Sequence, residues 1–307
     1  MTAILDIVAP VFLIVALGWI AAVRGFVDEA GFRVLIGFTF GIASPALLFA
    51  GGTSGHGGGG PAAFAFFLAA LAVYGFAMWL GRRRLGMPLG EAGLFGLNAT
   101  FGNTVMMGIP LIAAAYGEAG LAVLLAIIAL HSMVLLSLGT VVVELGIHRN
   151  APPLRVLRAT VGGVVRNPIV MAVLLALVWN ALSLPVPGAA RRTLELLGAS
   201  SPPLALFCLG GSLATFRLAG AMGEVAWSLV LKLAVLPLLV WGACLAMGLG
   251  ALETAVAVTS AALPTGANAF MLARRYRTGA ERSGATVLVS TVISVFTLAA
   301  VLAWFRA

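Results

Sequence analysis

Asn103-Thr-Val-Met-Met-Gly-Ile-Pro110-Leu111 lies inside an apolar segment running from about Leu94 to Tyr116, long enough to cross a bilayer. A membrane-spanning helix that carries Asn, Gly and Pro in mid-span gives up backbone hydrogen bonds in a solvent that cannot replace them. Pro110 has no N–H, and its ring crowds the carbonyl four residues back. Gly108 gives the chain room to turn. The stretch therefore predicts a broken helix whose ends face a cavity. Ala261-Ala-Leu-Pro264-Thr265-Gly266-Ala-Asn268-Ala-Phe-Met-Leu has the same ingredients late in the chain. Two such interruptions in corresponding halves point to the binding site of a transporter.

Working outward, the composition fits a lipid environment. Of 307 residues, 62% are hydrophobic and 9% charged, against about 25% charged in a typical soluble domain. Mean hydropathy is +1.12. The net charge of +8 would suggest nucleic acid in a soluble chain. Here Arg supplies nearly all of it and sits between apolar segments, so cytoplasmic anchoring is the expectation and no nucleic-acid partner is expected. Cys208 and Cys244 stand in apolar segments with no Cys/His spacing around them, so neither a metal, a cofactor nor a disulfide framework is indicated. The first apolar segment begins almost at Met1 without a basic leader, which predicts a retained helix.

Ten apolar spans are predicted, at about Ala3–Val23, Gly31–Gly51, Pro61–Gly81, Leu94–Tyr116, Gly120–Gly146, Val165–Leu184, Leu194–Phe216, Val225–Leu249, Leu252–Ala273 and Gly284–Phe305. The Gly-rich stretch from Gly51 to Gly60, with His56 inside it, lacks the Gly-Lys-Ser/Thr ending of a phosphate loop and reads as an external connector. Arg24, Arg33, Arg82 to Arg84, Arg149, Arg155, Arg158, Arg166, Arg217, Arg274, Arg275, Arg277 and Arg282 flank odd-numbered connectors, and only Arg191 and Arg192 fall in an even-numbered one. The positive-inside rule then makes the odd connectors cytoplasmic and places both termini in the periplasm.

The connector from His148 to Arg166 divides the chain. The expected organisation is a first five-helix repeat (1–147), a cytoplasmic linker (148–164) and a second repeat (165–307), with scaffold and transporter domains each drawing helices from both repeats. Pro45-Ala-Leu-Leu-Phe49 resembles Pro203-Leu-Ala-Leu-Phe207, and Pro10 and Pro168 share the same offset. Five spans per half is an odd number, so the halves enter the membrane from opposite sides as an inverted repeat. The predicted fold is an all-α membrane protein of ten transmembrane helices, a 5+5 inverted repeat with broken crossing helices 4 and 9.

A helix that restarts in mid-membrane presents unpaired N–H groups and the positive end of its dipole. Pro110 suits the first turn of such a restart, and Thr265 and Gly266 open the matching half-helix. Such ends favour an anion, most simply a carboxylate. Asn103 and Asn268 can both donate and accept, so they can orient it. The predicted substrate site is Asn103, Gly108, Pro110, Pro264, Thr265, Gly266 and Asn268. Stitching helices together is the competing role for the Asn and Pro residues. His131, Glu144 and Lys232 are candidates for coupling or gating, against ordinary packing for His131, solvent contact for Glu144 and snorkelling for Lys232. No carboxylate pair lies in mid-span, which opposes a cation antiporter built on buried acids. No nucleophile–base–orienter pattern or zinc motif supports an intramembrane enzyme.

Asn103-Thr-Val-Met-Met-Gly-Ile-Pro-Leu with Tyr116-Gly117 resembles the fourth-span motif of the auxin efflux carrier family, and Ala262-Leu-Pro-Thr-Gly-Ala-Asn-Ala-Phe with Ala273 and Tyr276 resembles its ninth-span motif. Pro-Ala-Leu-Leu-Phe, Asn167-Pro168, and Lys232 followed by Pro237 also fit. The resemblance spans essentially the whole chain. It implies a scaffold and a transporter domain, substrate at the crossover of spans four and nine, elevator-type alternating access, and a homodimer. It also implies a bacterial inner-membrane secondary transporter of small organic anions, such as dicarboxylates or auxin-like carboxylates. The long central hydrophilic loop of many plant members is missing. Related bile acid sodium symporters share the implied fold, but their acidic sodium ligands have no counterpart here, so H+ and Na+ coupling both stay open. The alternatives are such a sodium-coupled symporter, or a membrane sensor that binds a ligand without moving it.

Overall fold

The computed structural model describes residues 2–53, 59–147, 162, 165–166, 168–216 and 222–306. The centre of the Gly-rich connector with His56, most of the connector from His148 onward, Asn167 and Arg217 lie outside the described residues. The chain is all-helical, with no strand among the described residues.

In chain order the helices are α1 (Thr2–Val23), α2 (Glu29–Phe38), α3 (Ser44–Gly52), α4 (Gly60–Arg83), α5 (Leu89–Thr100), α6 (Ile109–His131), α7 (Ser137–Ile147), α8 (Pro168–Ala181), α9 (Gly188–Ala199), α10 (Ser201–Leu213), α11 (Met222–Val230), α12 (Leu236–Ala246), α13 (Ala251–Ala262), α14 (Ala267–Arg275) and α15 (Ala280–Arg306). Among the described residues, four π turns interrupt the apolar rods: Thr39–Ala43, Thr104–Gly108, Ser132–Leu136 and Leu231–Val235. α2 and α3 run on through the first of these as one rod, Glu29–Gly52, and α11 and α12 through the last, Met222–Ala246.

Among the described residues, six helical stretches are long and apolar enough to cross a membrane, and α1, α8 and α13 contribute shorter apolar helices. The long stretch Thr104–Gly146 turns sharply at Gly117, where φ is 64° and ψ −158°. A positive φ costs little only without a Cβ. The helix pairs on either side of this turn therefore have separate axes.

Local sequence explains several boundaries. Asp28 caps α2 by accepting a hydrogen bond from the Gly31 N–H at 2.7 Å. Pro61 falls in the first turn of α4 and Pro202 in the first turn of α10, where a missing N–H is no loss, whereas Pro45 and Pro237 follow the π turns inside continuous rods.

The pairing of helices divides into two groups. α1 lies along α10 and α3 along α8, with α9 against α3. α1 and α10 meet backbone to backbone: a Cβ at Gly18 would stand 2.0 Å from the Phe207 carbonyl oxygen, and one at Gly210 1.9 Å from that of Val15. Small residues make such close crossings in lipid, where packing rather than hydrophobicity holds helices together. In the second group α4 packs on α5, α6 and α12, α13 on α6, α12 and α15, and α5 on α7. Many side chains facing these interfaces are Ala, Val, Leu or Phe, with Phe66, Phe95, Leu97 and Ile127 fully enclosed.

Arg282, at the start of α15, ties α5 and α11 together. It pairs with Glu91 at 3.3 Å and with Glu224.

Candidate functional site

The helical ladder stops at Thr100 and again at Ala262. Phe101 is extended (φ −77°, ψ 104°), as is Leu263 (φ −58°, ψ 146°). The two extended stretches meet as an antiparallel bridge between Gly102 and Thr265. The Asn103 N–H donates to the Pro264 carbonyl at 2.8 Å, and the Gly266 N–H to the Phe101 carbonyl at 2.8 Å. With these two bonds each stretch satisfies groups that the other's missing helical turn left open.

Side chains complete the junction. Thr265 Oγ1 donates to the Asn98 carbonyl at 2.9 Å, and the Thr265 N–H donates to Ser290 Oγ at 3.0 Å. Asn98 Nδ2 donates to Ser283 Oγ at 3.0 Å. The Gly102 N–H donates to His131 Nε2 at 3.1 Å. Lys232, fully buried, reaches the last turn of α13 and donates from Nζ to the Ala261 carbonyl at 2.5 Å. An amine donor there satisfies a carbonyl that the end of α13 leaves open.

A cavity of about 300 Å³ opens beside the bridge. One wall is the chain from Phe101 to Met106 with Ile128, and a second is Gly266, Ala267, Asn268 and Met271 at the start of α14. Ile36, Phe40 and Ser212, from the other helix group, close the third side. Among the described residues no charged side chain lines it.

Two features give this apolar chamber a polar end. The N-terminus of α14 starts after Gly266 without a side-chain cap; the Ala269 N–H donates back to the Gly266 carbonyl at 3.1 Å, and the N–H groups of Ala267 and Asn268 have no partner within the helix. Asn103 Oδ1 accepts from the Met106 N–H at 3.2 Å, capping the π turn, while its Nδ2 is buried with no hydrogen-bond partner. An unpaired buried donor is costly unless something else accepts from it. A second cavity of about 370 Å³ shares Ile36 and Ser212 with the first and extends to Asp28, Glu29 and Arg33.

Of the residues singled out in the sequence, Asn103, Gly266 and Asn268 line the cavity. Pro264 and Thr265 instead form the bridge through their backbones. Gly108 is buried against Leu263, and its N–H donates to the Asn103 carbonyl at 3.0 Å. Pro110 sits in α6, one wide turn beyond the restart, which begins at Thr104 with Asn103 as its cap rather than at Pro110 itself. The π turn lengthens the spacing just where the ring would meet a carbonyl four residues back.

His131 and Lys232 stand behind the bridge and do not line the cavity. Glu144 lies elsewhere, buried at the end of α7, with Oε1 accepting from the Tyr276 hydroxyl at 2.7 Å. Sequence reasoning missed Ile36, Phe40, Ile128 and Ser212. They carry no local signal, being ordinary residues of other helices that tertiary packing brings to the cavity.

A protein of Rhizobium meliloti (strain 1021) named "Putative malonate transporter" is 26% identical over 235 residues, covering 75% of this chain and 72% of that protein. Residues 3–302 match the family model described as membrane transport protein. An all-helical chain with several membrane-length apolar helices, matched to that model over nearly its whole length, belongs to the membrane transport protein family, the auxin efflux carrier family of transporters.

Proposed function

We propose that this transporter is a secondary carrier of small organic anions, which it binds by a carboxylate at the junction of residues 101–104 and 264–268. The observation that carries the reading is the pairing of an uncapped α14 N-terminus with the buried, unpartnered Asn103 Nδ2 at one apolar chamber. Backbone N–H groups and a helix dipole favour negative charge, and an amide donor fixes its orientation. Asn268, next to the same helix end, is a second amide within the chamber wall. The name of the Rhizobium meliloti relative makes malonate the first substrate to try.

We read the chain as ten spans in two inverted five-helix repeats (1–147 and 165–307) joined by a linker over 148–164. On this reading the fourth span is α5 with the restart to Tyr116, and the ninth is α13 with α14. The pairing of helices supports it. Exchanging the repeats turns the α1–α10 contact into the α8–α3 contact, and the Gly102–Thr265 bridge joins corresponding spans.

The first, second, sixth and seventh spans then form a scaffold. The others form a transport unit that carries the site past it in an elevator movement, with Ile36, Phe40 and Ser212 as the scaffold's side of the chamber. The second cavity leads from Ile36 and Ser212 toward Asp28, Glu29 and Arg33 at the start of α2, beside the first connector on the Arg-rich side. That supports an inward-facing state, with both termini periplasmic in a bacterial inner membrane. Lys232 sets a tethered positive charge behind the site, which favours anion entry whether H+ or Na+ drives the cycle. A homodimer through the scaffold fits this arrangement.

The test is counterflow in proteoliposomes loaded with malonate and other mono- and dicarboxylates, with and without pH and sodium gradients. Saturable exchange of a carboxylate supports the carrier. Binding without exchange in well-sealed vesicles overturns it in favour of a sensor.

A further inference from the structure

The bridge between residues 102 and 265 is a sheet reduced to one residue pair, and it has edges. Its inner hydrogen bonds run between the two stretches, Asn103 to Pro264 and Gly266 to Phe101. The N–H groups of the bridged residues themselves, Gly102 and Thr265, point outward. An open sheet edge at membrane depth has no water to satisfy it.

Each outward N–H meets a side chain from a helix beyond the one that follows its own stretch: His131 at the end of α6, past the Gly117 turn, and Ser290 on α15, past α14. Gly102 donates to His131 Nε2 at 3.1 Å, and Thr265 donates to Ser290 Oγ at 3.0 Å. A ring nitrogen that accepts an N–H cannot itself carry a proton, so in this state the His131 proton is on Nδ1. Nδ1 is buried and has no hydrogen-bond partner. The ring is enclosed by Phe101 at 4.4 Å, Phe66 at 5.6 Å and Phe67 at 6.3 Å between centroids. The charged group on the facing element is Lys232. Its Nζ lies 3.5 Å from where a Gly102 Cβ would stand, and it donates to Ala261.

We infer that His131 is a positioning residue of the binding site: a neutral acceptor at Nε2 that holds Gly102, and through it Asn103 and Phe101, in place, and that stays in this one neutral tautomer throughout transport. Ser290 does the same for Thr265 and the start of α14. A protonated imidazole would turn an N–H toward the Gly102 N–H and push the stretch carrying Asn103 away from the chamber. The part concerning the site rests on the anion-carrier reading; the part concerning the histidine's tautomer does not.

Two measurements test it. The chain has three histidines, so His56→Gln with His148→Gln leaves His131 as the sole signal in a [15N]histidine-labelled sample of the reconstituted full chain. The expected spectrum at neutral pH is the neutral tautomer protonated at Nδ1. An Nε2-protonated ring or an imidazolium overturns the inference whatever the transport result.

The second measurement is malonate counterflow. His131→Gln offers an amide oxygen to the Gly102 N–H and is expected to keep KM within about threefold and the pH profile unchanged, whereas His131→Leu removes the acceptor and raises KM about tenfold or more. Loss of pH-gradient dependence in the Gln variant, or an unchanged KM in a folded Leu variant, refutes the positioning role. If the Leu variant does not fold, the tautomer and the Gln variant decide. If wild type moves no carboxylate at all, the carrier reading fails, and the spectrum still decides the state of His131.

Discussion

Asn103→Asp separates charge from shape at the binding chamber. The new side chain is nearly isosteric and keeps the oxygen that accepts from the Met106 N–H at 3.2 Å, so the cap on the π turn survives. What changes is the other terminal atom: Nδ2, buried and without a partner, becomes a carboxylate oxygen. Losing a hydrogen bond to a charged ligand costs about 1.5–3 kcal/mol. Two unit charges about 4 Å apart, at an effective dielectric of about 20, repel by about 4 kcal/mol. Together these reach roughly 5.5–7 kcal/mol, a loss in anion affinity of about 10⁴- to 10⁵-fold.

Asn103→Ala removes the same donor without adding charge, and its expected loss is only about 10- to 100-fold. It also loses the cap, at about 1 kcal/mol of stability. The expected order is therefore inverted from steric conservatism: Asp keeps the cap and transports worst, whereas Ala loses the cap and transports better than Asp. Counterflow at neutral pH gives the functional ranking, and thermal melting of detergent-purified protein gives the stability ranking. An Asp variant that exchanges malonate as well as the Ala variant would refute the placement of an anion beside Asn103.

Other expectations concern the junction and its supports. Gly266→Ala puts a Cβ 3.0 Å from the Gly102 carbonyl oxygen and 2.9 Å from the Phe101 ring, whereas Gly102→Ala meets nothing nearer than 3.5 Å. The first should lower stability by about 1–3 kcal/mol and the second far less, read as a difference in melting temperature; equal shifts would argue against a tight bridge. Lys232→Met removes a unit charge. A unit charge close behind the site is worth on the order of 2 kcal/mol at an effective dielectric of about 20, so half-saturation should rise roughly 30-fold. Unchanged anion affinity would exclude an electrostatic role. Arg282→Gln breaks the pairs to Glu91 and Glu224, whose side chains are 30% and 18% exposed. The expected cost lies between the surface and buried limits, about 1–3 kcal/mol, and the melting difference from wild type should shrink in high salt.

The class of this protein is written in the chain itself. Long apolar runs with few charges cannot be anything but helices in lipid, because every backbone group must find its partner within its own segment. The two stretches rich in Asn, Gly and Pro stand out for the same reason, since they contain the residues least able to satisfy that condition in an unbroken helix. Asn103, Gly266 and Asn268 could be named from sequence on this local chemistry alone. Sequence could not say where the chain would restart, because that depends on a π turn and on an Asn103 cap whose hydrogen bonds close only in three dimensions. Nor could it distinguish Thr265, a bridge residue, from Asn268, a cavity residue three positions on.

The roles of His131, Lys232 and Ser290 were likewise invisible. Each acts on a backbone group that is not its sequence neighbour, across distances of 2.5–3.1 Å that only packing sets. Local chemistry determined which segments would be left with open hydrogen bonds. Tertiary structure decided which partners closed them, because in the absence of water those partners come from other helices.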